Sequence, residues 1–187
     1  MKRIGIFGGT FDPIHHGHLI LARDALEQLR LDRVIFIPAA ISPHKLTQKP
    51  AAVEARLEML RAAIEGESHF GLDAIEVERA APSYMVETME ALKIREPDHE
   101  FVCLIGEDNV AQLPTWHRFS DLVKIVQFAV LDRSGLQRPH AYPVIRRHID
   151  ISATDIRNRV ARGRSIRYLV PPAVETIIRE RQLYREP

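Results

Sequence analysis

The stretch Arg-Ile-Gly-Ile-Phe-Gly-Gly-Thr-Phe-Asp-Pro-Ile-His-His-Gly-His, residues 3–18, is the strongest structural signal in this chain of 187 residues. Residues 3–7 predict a buried strand that ends at Gly8-Gly9. After the Thr10–Gly17 turn, leucine and alanine recur at helical spacing, at positions 19, 22, 26 and 29. Glycines between a strand and a helix let main-chain N–H groups face an anion, so the segment predicts a phosphate-binding turn.

Apolar runs and helical periods alternate along the rest of the chain. Strands are predicted at Arg33–Ile37, Phe70–Val77, Glu100–Ile105, Gln127–Leu131 and Val144–Ile151, and helices at about 51–65, 82–94, 119–125, 152–163 and from Pro171-Pro172 onward. Without a repeat or an obvious linker, this predicts one α/β domain over residues 1–187, a parallel sheet covered on both faces, with the helical segment of about 152–185 packed on it. Ligands of such sheets bind beyond the carboxyl ends of the strands, where the motifs below fall.

Charge and composition exclude several classes of protein. Residues 1–132 hold 14 Lys/Arg and 20 Asp/Glu, whereas residues 133–187 hold 12 Arg and only 5 acids. Those arginines suit phosphate recognition or a solvated helix face, and the lack of interleaved aromatics argues against a nucleic-acid partner. The single Cys103 excludes an intramolecular disulfide and a thiolate metal cluster. Neither a signal peptide nor a membrane span is predicted, so we expect a cytoplasmic protein.

Two histidines in the first motif indicate what the turn binds. His15 and His18 are three residues apart at a helix start and therefore project to one side. Imidazoles beside a phosphate can donate hydrogen bonds that stabilise growing charge. A zinc site would need a third ligand, which the segment does not supply. A nicotinamide-cofactor turn would need an acid at the end of the second strand, but that strand ends in Ile37-Pro38-Ala39. We therefore predict that these histidines contact phosphate and that the chain has no dedicated metal site.

Two further motifs carry groups suited to a nucleotide. Gly106 ends a predicted strand and permits close approach, while Asp108 can accept hydrogen bonds from a ribose or cap a helix. Ser152 occupies a predicted N-cap, with the acid of a short-armed capping box three residues later. Thr154 and Arg157 share a face near the positive end of that helix, which suits phosphates.

The segment Gly9–His18 matches, without a break, the Gly-x-Phe-x-Pro-x-His-x-Gly-His signature of the nucleotidyltransferase superfamily. Over residues 1–185 the chain resembles the bacterial nicotinate mononucleotide adenylyltransferases. This resemblance implies a Rossmann-like, doubly wound sheet and adenylyl transfer from ATP to nicotinate mononucleotide, giving deamido-NAD and pyrophosphate in NAD biosynthesis. It also implies Mg²⁺ held mainly by the ATP phosphates.

The resemblance further assigns roles to residues. The catalytic residues are His15, His18, Lys45 and Arg157. The ATP-binding residues are Gly8, Gly9, Thr10, Phe11, His44, Gly106, Asp108, Arg133, Ser152 and Thr154. The mononucleotide-binding residues are Ser83, Tyr84, Met85, Trp116 and His117, with the pyridine ring stacked on Trp116.

The chain departs from the family pattern at three places. Ala39-Ala40 stands where some members carry Asn, Ser134 replaces a proline after Arg133, and Met85 replaces a threonine, which keeps a backbone donor but loses a hydroxyl. Three alternatives stay open: a preference for nicotinamide mononucleotide, another acceptor such as phosphopantetheine, and a non-catalytic nucleotide sensor. Phosphopantetheine enzymes usually carry Thr at the position of His15 and lack the Pro-Ser-Tyr and Trp motifs, and a sensor would release no pyrophosphate. A tRNA synthetase would need a longer chain and a Lys-Met-Ser-Lys-Ser loop.

Overall fold

The computed structural model describes residues 1–39, 50–79, 83–133, 135 and 140–185. In these ranges strands and helices alternate as the sequence predicts. The strands are β1 (Arg3–Gly9), β2 (Arg33–Pro38), β3 (Phe70–Leu72), β4 (Glu100–Gly106), β5 (Gln127–Asp132) and β6 (Val144–Arg146). The helices are α1 (His16–Gln28), α2 (Val53–Ile64), α3 (Met85–Arg95), α4 (Glu107–Val110), α5 (Phe119–Ile125), α6 (Ala153–Ala161) and α7 (Pro172–Glu180), with a 3₁₀ turn at Leu113–Thr115.

All six strands form one parallel sheet in the order β3-β2-β1-β4-β5-β6. The chain winds outward from β1 to one edge, returns to β4 beside β1, and then winds to the other edge. The predicted Rossmann-like, doubly wound α/β fold is thereby confirmed. A crevice is expected where the winding reverses, at the carboxyl ends of β1 and β4, and this end of the sheet carries Gly9 and Gly106.

The sheet separates two apolar layers, because successive side chains of a strand point to opposite faces. Phe7, Val102 and Leu104 join the core cluster on the side of α1, α2, α6 and α7. Ile6 and Cys103 join the second cluster, on the side of α3 and α5. Complete burial raises the pKa of the Cys103 thiol to about 12, so this cysteine is an inert core residue.

The C-terminal helices pack into the first of these layers. Ile156 of α6 and Val174 and Ile178 of α7 are at most 2% exposed and belong to the same cluster as Phe7. The Ser152 hydroxyl accepts a hydrogen bond from the Asp155 N–H at 3.1 Å and so caps α6 as predicted. The Asp155 carboxylate binds Arg159 instead. Gly163 follows α6 with a positive φ of 64°, which favours glycine at a helix end.

Two predicted strands end early. Strand β3 stops at Leu72 instead of Val77, because the Asp73 side chain accepts a hydrogen bond from the Ile75 N–H and begins a turn. Strand β6 stops at Arg146 instead of Ile151, because its only neighbour in the described sheet, β5, ends at Asp132.

The buried side of α2 also differs from the prediction, which placed Leu57, Leu60 and Ile64 on it. The fully buried residues are Ala55, Arg56, Met59 and Leu60. Helix α3 begins at Met85, two or three residues later than predicted. None of the helices in the described ranges has the length and apolar character needed to cross a bilayer.

Candidate active site

The turn after β1 folds back over its own strand. Phe11 has a positive φ of 48°, and its ring is 3% exposed among Phe7, Phe36 and His18. A side chain on Gly9 would lie 2.9 Å from that ring, so the turn requires glycine there. Because the Phe11 ring is part of the core, the ATP contact predicted for this residue depends on its main-chain atoms.

His15 and His18 face one another at the start of α1. Their rings are stacked, with centroids 3.7 Å apart and planes inclined by 23°. The His15 N–H donates to His18 Nδ1 at 3.3 Å. Since Nδ1 of His18 accepts this bond, a neutral His18 ring carries its proton on Nε2. The structure thus brings the two predicted catalytic histidines together and orients the second as an Nε2 donor.

The environment keeps His15 uncharged. The residue is 2% exposed. Burial, followed by the positive charges of Arg133 and His16, lowers the pKa of His15 from 6.5 to about 3. Its ring also lies against the Cα of Gly17, where an added Cβ would come within 3.0 Å. His15 is therefore a neutral, rigidly held imidazole at neutral pH.

The C-terminal motif reaches the same turn from the other end of the sequence. Arg157 of α6 donates through Nη1 to the Asp12 carbonyl at 2.7 Å and through Nη2 to the Thr154 hydroxyl at 3.3 Å. Arg133, just beyond β5, donates to the Ile151 carbonyl at 3.3 Å, next to the cap residue Ser152. Residues that are more than 110 positions away from the first motif in sequence thus line its turn.

The end of β4 carries Gly106 and Asp108, which are both predicted to bind ATP. A Cβ on Gly106 would lie only 2.4 Å from Asp108 Oδ1, so the carboxylate folds back over this glycine. Asp108 is exposed, in the first turn of α4. Its carboxylate can therefore reach a ligand at the carboxyl end of the sheet.

The two motifs predicted to bind the mononucleotide meet in space. The rings of Tyr84 and His117 lie 4.3 Å apart at 33°. Trp116 is half-buried, with its edge on Phe128, and its indole Nε1 is buried without a hydrogen-bond partner in the described part of the chain. Met85 extends towards the glycine turn, since its Cε would lie 3.0 Å from a Cβ on Gly8. These contacts connect the predicted mononucleotide end to the phosphate turn.

Two predicted site residues, His44 and Lys45, lie outside the described residues. Ser83, in contrast, is buried, and its hydroxyl donates to the Glu76 carbonyl at 3.0 Å. Thr88 of α3 donates to the Glu76 carboxylate at 2.9 Å, and burial raises the pKa of that carboxyl. Glu76 therefore binds Ser83 through its main-chain carbonyl and Thr88 through its carboxylate.

Sequence reasoning missed several polar residues beneath the site. Arg56 is 1% exposed, and Tyr184, near the C-terminus, donates to Asp12 Oδ1 at 2.6 Å. Glu107, next to Gly106, is buried and lies 3.2 Å from His140 Nε2. Arg56 lies on an amphipathic helix, where a charged residue normally indicates the solvent side, and Tyr184 lies outside every motif. No local signal distinguishes such residues from surface positions.

Comparison with known proteins shows the family of this chain. The cytidylyltransferase-like family model matches residues 6–159. A protein of Bacillus pumilus named "probable nicotinate-nucleotide adenylyltransferase" is 44% identical over 187 residues, covering 98% of this chain and 99% of that protein. A protein of the same name from Exiguobacterium sibiricum is 46% identical, with 97% and 98% covered. The Plasmodium falciparum nicotinic acid mononucleotide adenylyltransferase complexed with NaAD has the same fold, with a TM-score of 0.82 at 18% identity and 98% of both chains covered.

The sheet order and the histidine-bearing turn are thus those of a nucleotidyltransferase, in agreement with the match over residues 6–159. Within that class, the chain belongs to the family of nicotinate-nucleotide adenylyltransferases. Its identity of 44% and 46% with those two relatives, over almost the whole chain, shows this. The family resemblance seen in the sequence is confirmed.

Proposed function

We propose that this enzyme transfers the AMP group of ATP to nicotinate mononucleotide, giving deamido-NAD and pyrophosphate, as a cytoplasmic step of NAD synthesis. A 5′-phosphate oxygen of the mononucleotide forms a bond to the α-phosphorus of ATP. The bond from that phosphorus to the bridging oxygen breaks, and pyrophosphate leaves with the electron pair. The attacking oxygen is already anionic, so catalysis consists of positioning and neutralisation of charge.

The observation that supports this reaction best is the stacked pair of His15 and His18 beside the turn that follows β1. His18, with its proton on Nε2, donates to an oxygen of the α-phosphate, whose negative charge grows in the transition state. His15 is neutral at working pH, so it adds no charge. It holds the His18 ring by stacking and through its own main-chain N–H.

The remaining ATP contacts follow from the same end of the sheet. Main-chain groups of Gly8–Phe11 face the phosphates, Gly106 and Asp108 hold the ribose, and Thr154 and Arg157 hold the leaving pyrophosphate with Lys45, His44 and Arg133. Ser152 fixes the start of the helix that carries them.

Mg²⁺ would enter this site with the triphosphate. The described residues contain no group of three or more His, Cys, Asp or Glu side chains suited to hold a metal ion. The phosphate oxygens of ATP are the hard ligands that Mg²⁺ prefers, and the ion keeps several waters. Bound in this way, it would supply positive charge that neutralises the leaving phosphates.

At the other end of the cleft, Tyr84, Trp116 and His117 form an aromatic wall for the pyridine ring, and Trp116 provides the face on which the ring stacks. Main-chain N–H groups near Met85 and after Trp116 hold the nicotinate carboxylate, while the Ser83 hydroxyl fixes the residue before Tyr84 by donating to the Glu76 carbonyl. Met85 contributes no hydroxyl, so recognition of the acid depends on these main-chain donors.

Pyrophosphate release with nicotinate and nicotinamide mononucleotides, each with Mg²⁺ and ATP, tests the proposal. Faster release with the acid is expected. Preference for the amide would change the substrate while keeping the reaction class, and absence of release with both would indicate a nucleotide-binding protein without transferase activity.

The variant His18→Ala tests the catalytic role. It is expected to lower kcat by at least ~10²-fold, the usual consequence of removing one donor to a developing oxyanion. The exposed His148 provides the matched control, and His148→Ala is expected to keep normal turnover. Near-normal kcat in a folded His18→Ala variant would contradict the assignment.

A further inference from the structure

A buried arginine lies beneath the phosphate turn. Arg56 of α2 is 1% exposed, and its Nη1 donates to the carbonyls of Thr10 at 2.8 Å and Ala39 at 2.9 Å. Its Nε donates to the Ala51 carbonyl at 3.1 Å. One guanidinium therefore joins three segments: the turn after β1, the end of β2 and the residues before α2.

A second polar group holds the same turn two residues later. Asp12 is 8% exposed, and its Oδ1 accepts hydrogen bonds from the Tyr184 hydroxyl at 2.6 Å and the Ala51 N–H at 3.2 Å. Burial, together with Asp12, raises the pKa of the Tyr184 phenol, so it stays a neutral donor. The turn that contains Tyr184 is thus tied to the middle of the first motif.

Burial of Arg56 costs more free energy than burial of an apolar side chain, so packing alone does not explain it. Burying a charged side chain in an apolar layer is unfavourable unless its hydrogen bonds compensate, and an apolar residue would fill the same helical position. The acceptors of Arg56 are main-chain carbonyls, and its Nη2 is buried without a partner among the described residues. Its hydrogen bonds therefore restrain backbone conformation, and the backbone they restrain carries the phosphate-binding N–H groups.

The turn is restrained from two sides. Arg56 binds the Thr10 carbonyl, and Tyr184 binds the Asp12 side chain. Arg157, from α6, binds the Asp12 carbonyl at 2.7 Å. Because the carbonyls of Thr10 and Asp12 each accept a hydrogen bond from a guanidinium group, the peptide planes between them are held in one orientation. A turn held in this way presents its N–H groups to the phosphates without reorganisation on binding.

We propose that Arg56 and Tyr184 are positioning residues for the adenylyl transfer, which hold the Thr10–Asp12 turn in the conformation that binds the phosphates of ATP. The inference rests on the proposed function, and it concerns the ATP half of the reaction only. Neither side chain needs to touch a substrate.

Two single substitutions test it. Tyr184→Phe removes one hydroxyl, and Tyr168→Phe is the matched control because Tyr168 is 76% exposed. Arg56→Met removes the guanidinium and keeps a side chain of similar length. Arg56→Lys keeps a single cationic donor at the same position. Arg61→Met, on the exposed side of α2, is the control. Steady-state kinetics with each substrate varied, calorimetric binding of Mg²⁺–ATP alone and thermal unfolding are measured for all variants.

Tyr184→Phe is expected to lower kcat/KM for ATP about tenfold, the effect of losing one hydrogen bond to a charged group. Arg56→Met is expected to lower it by ~10²-fold, the cost of misplacing a binding group, and Arg56→Lys to recover part of the loss. The KM for the mononucleotide stays unchanged in all of them. A merely structural role would lower the unfolding temperature and leave kcat and both KM values intact in the folded fraction, and that result overturns the inference.

The outcomes separate the two proposals. If the wild-type enzyme releases no pyrophosphate, the proposed function fails, and weaker ATP binding by Tyr184→Phe still supports the positioning role. If the wild-type enzyme is active and Tyr184→Phe equals Tyr168→Phe in ATP affinity and kinetics, the positioning role fails alone. If Arg56→Met does not fold, Tyr184→Phe and Arg56→Lys decide.

Discussion

Two histidines three residues apart have different properties because their surroundings differ. His15 is 2% exposed and lies close to Arg133, so its protonated form is disfavoured. His18 is half-buried, and the bond from the His15 N–H to its Nδ1 sets its tautomer. Under the proposed function, these two identical side chains have different roles: His15 supports His18, and His18 contacts the phosphate.

Burial of His15 makes the stability of the fold sensitive to acid. The unfolded chain binds a proton at His15 below about pH 6.5, whereas the folded chain does so only near pH 3, so the unfolded state gains protons in between. Acidification from about pH 7 to about pH 5 is expected to remove about 2 kcal/mol of the stability contributed by this site. His15→Asn keeps a favoured N-cap residue and should lose correspondingly less on acidification. Urea unfolding of both proteins at the two pH values measures this, and equal losses would contradict the predicted pKa effect.

Gly106 and Asp108 are predicted to act as one unit. A Cβ at Gly106 would lie 2.4 Å from Asp108 Oδ1, and the flexible carboxylate can move away, so Gly106→Ala should fold normally but displace the ribose-binding group. Gly106→Ala and Asp108→Ala are each expected to raise the KM for ATP about tenfold, the effect of one lost hydrogen bond involving a charged group. The double variant should be no worse than either single variant. Additive effects would show that the two residues act separately.

At the scale of elements, α6 begins at a capped N-terminus and carries two of the predicted site residues on one side of its first turn. Ser152 caps the helix at 3.1 Å, and the first turn that follows carries Thr154 and Arg157 on one side. The cap therefore determines where the side chains proposed to bind phosphate begin. A sequence signal for helix initiation and a functional motif overlap in the same six residues.

Ser152→Ala is expected to lower the free energy of unfolding by about 1 kcal/mol, the usual cost of removing an N-cap hydroxyl. Ser120→Ala, in the exposed part of α5, is the control and should be neutral or slightly stabilising, because alanine is the better helix former. Chemical denaturation measures both. Equal stabilities of the two variants would show that the cap hydrogen bond contributes nothing.

At the scale of the whole molecule, the strand order places distant motifs around one crevice. Strands β1 and β4 are neighbours, so the turn after Gly9 and the glycine at position 106 share one end of the sheet. Helices α6 and α7 then return over the layer beside α1 and α2. The C-terminal segment is therefore part of the site, through Arg157, and part of the core, through Ile178.

We predict that the segment of about 152–185 unfolds together with the rest of the chain as one domain. Ile178→Ala in α7 (2% exposed) is expected to cost about 2–5 kcal/mol in a single cooperative transition. Ile94→Ala, at an isoleucine that is 83% exposed, should change stability by less than about 0.5 kcal/mol. Denaturation followed by circular dichroism and by Trp116 fluorescence tests this, and two separated transitions would contradict a single domain.

Much of the fold could be predicted because its signals are local. The strand at residues 3–7, the cap at Ser152 and the helix end at Gly163 depend on apolar periodicity and on neighbouring residues, and the structure has all three. The overlong predictions for β3 and β6 arose because a strand ends where its neighbour ends or where a side chain such as that of Asp73 starts a turn.

The sequence alone determined the order of the elements and the family, and it predicted the residues that carry the chemistry, since glycines, histidines and helix caps act over a few residues. Only the tertiary structure decided that His15 is buried and uncharged, that Tyr84 meets His117, and that Arg56 and Tyr184 hold the turn after β1. The physical reason is that burial, desolvation and contacts between residues far apart in the sequence depend on how the layers pack, and no local pattern encodes them.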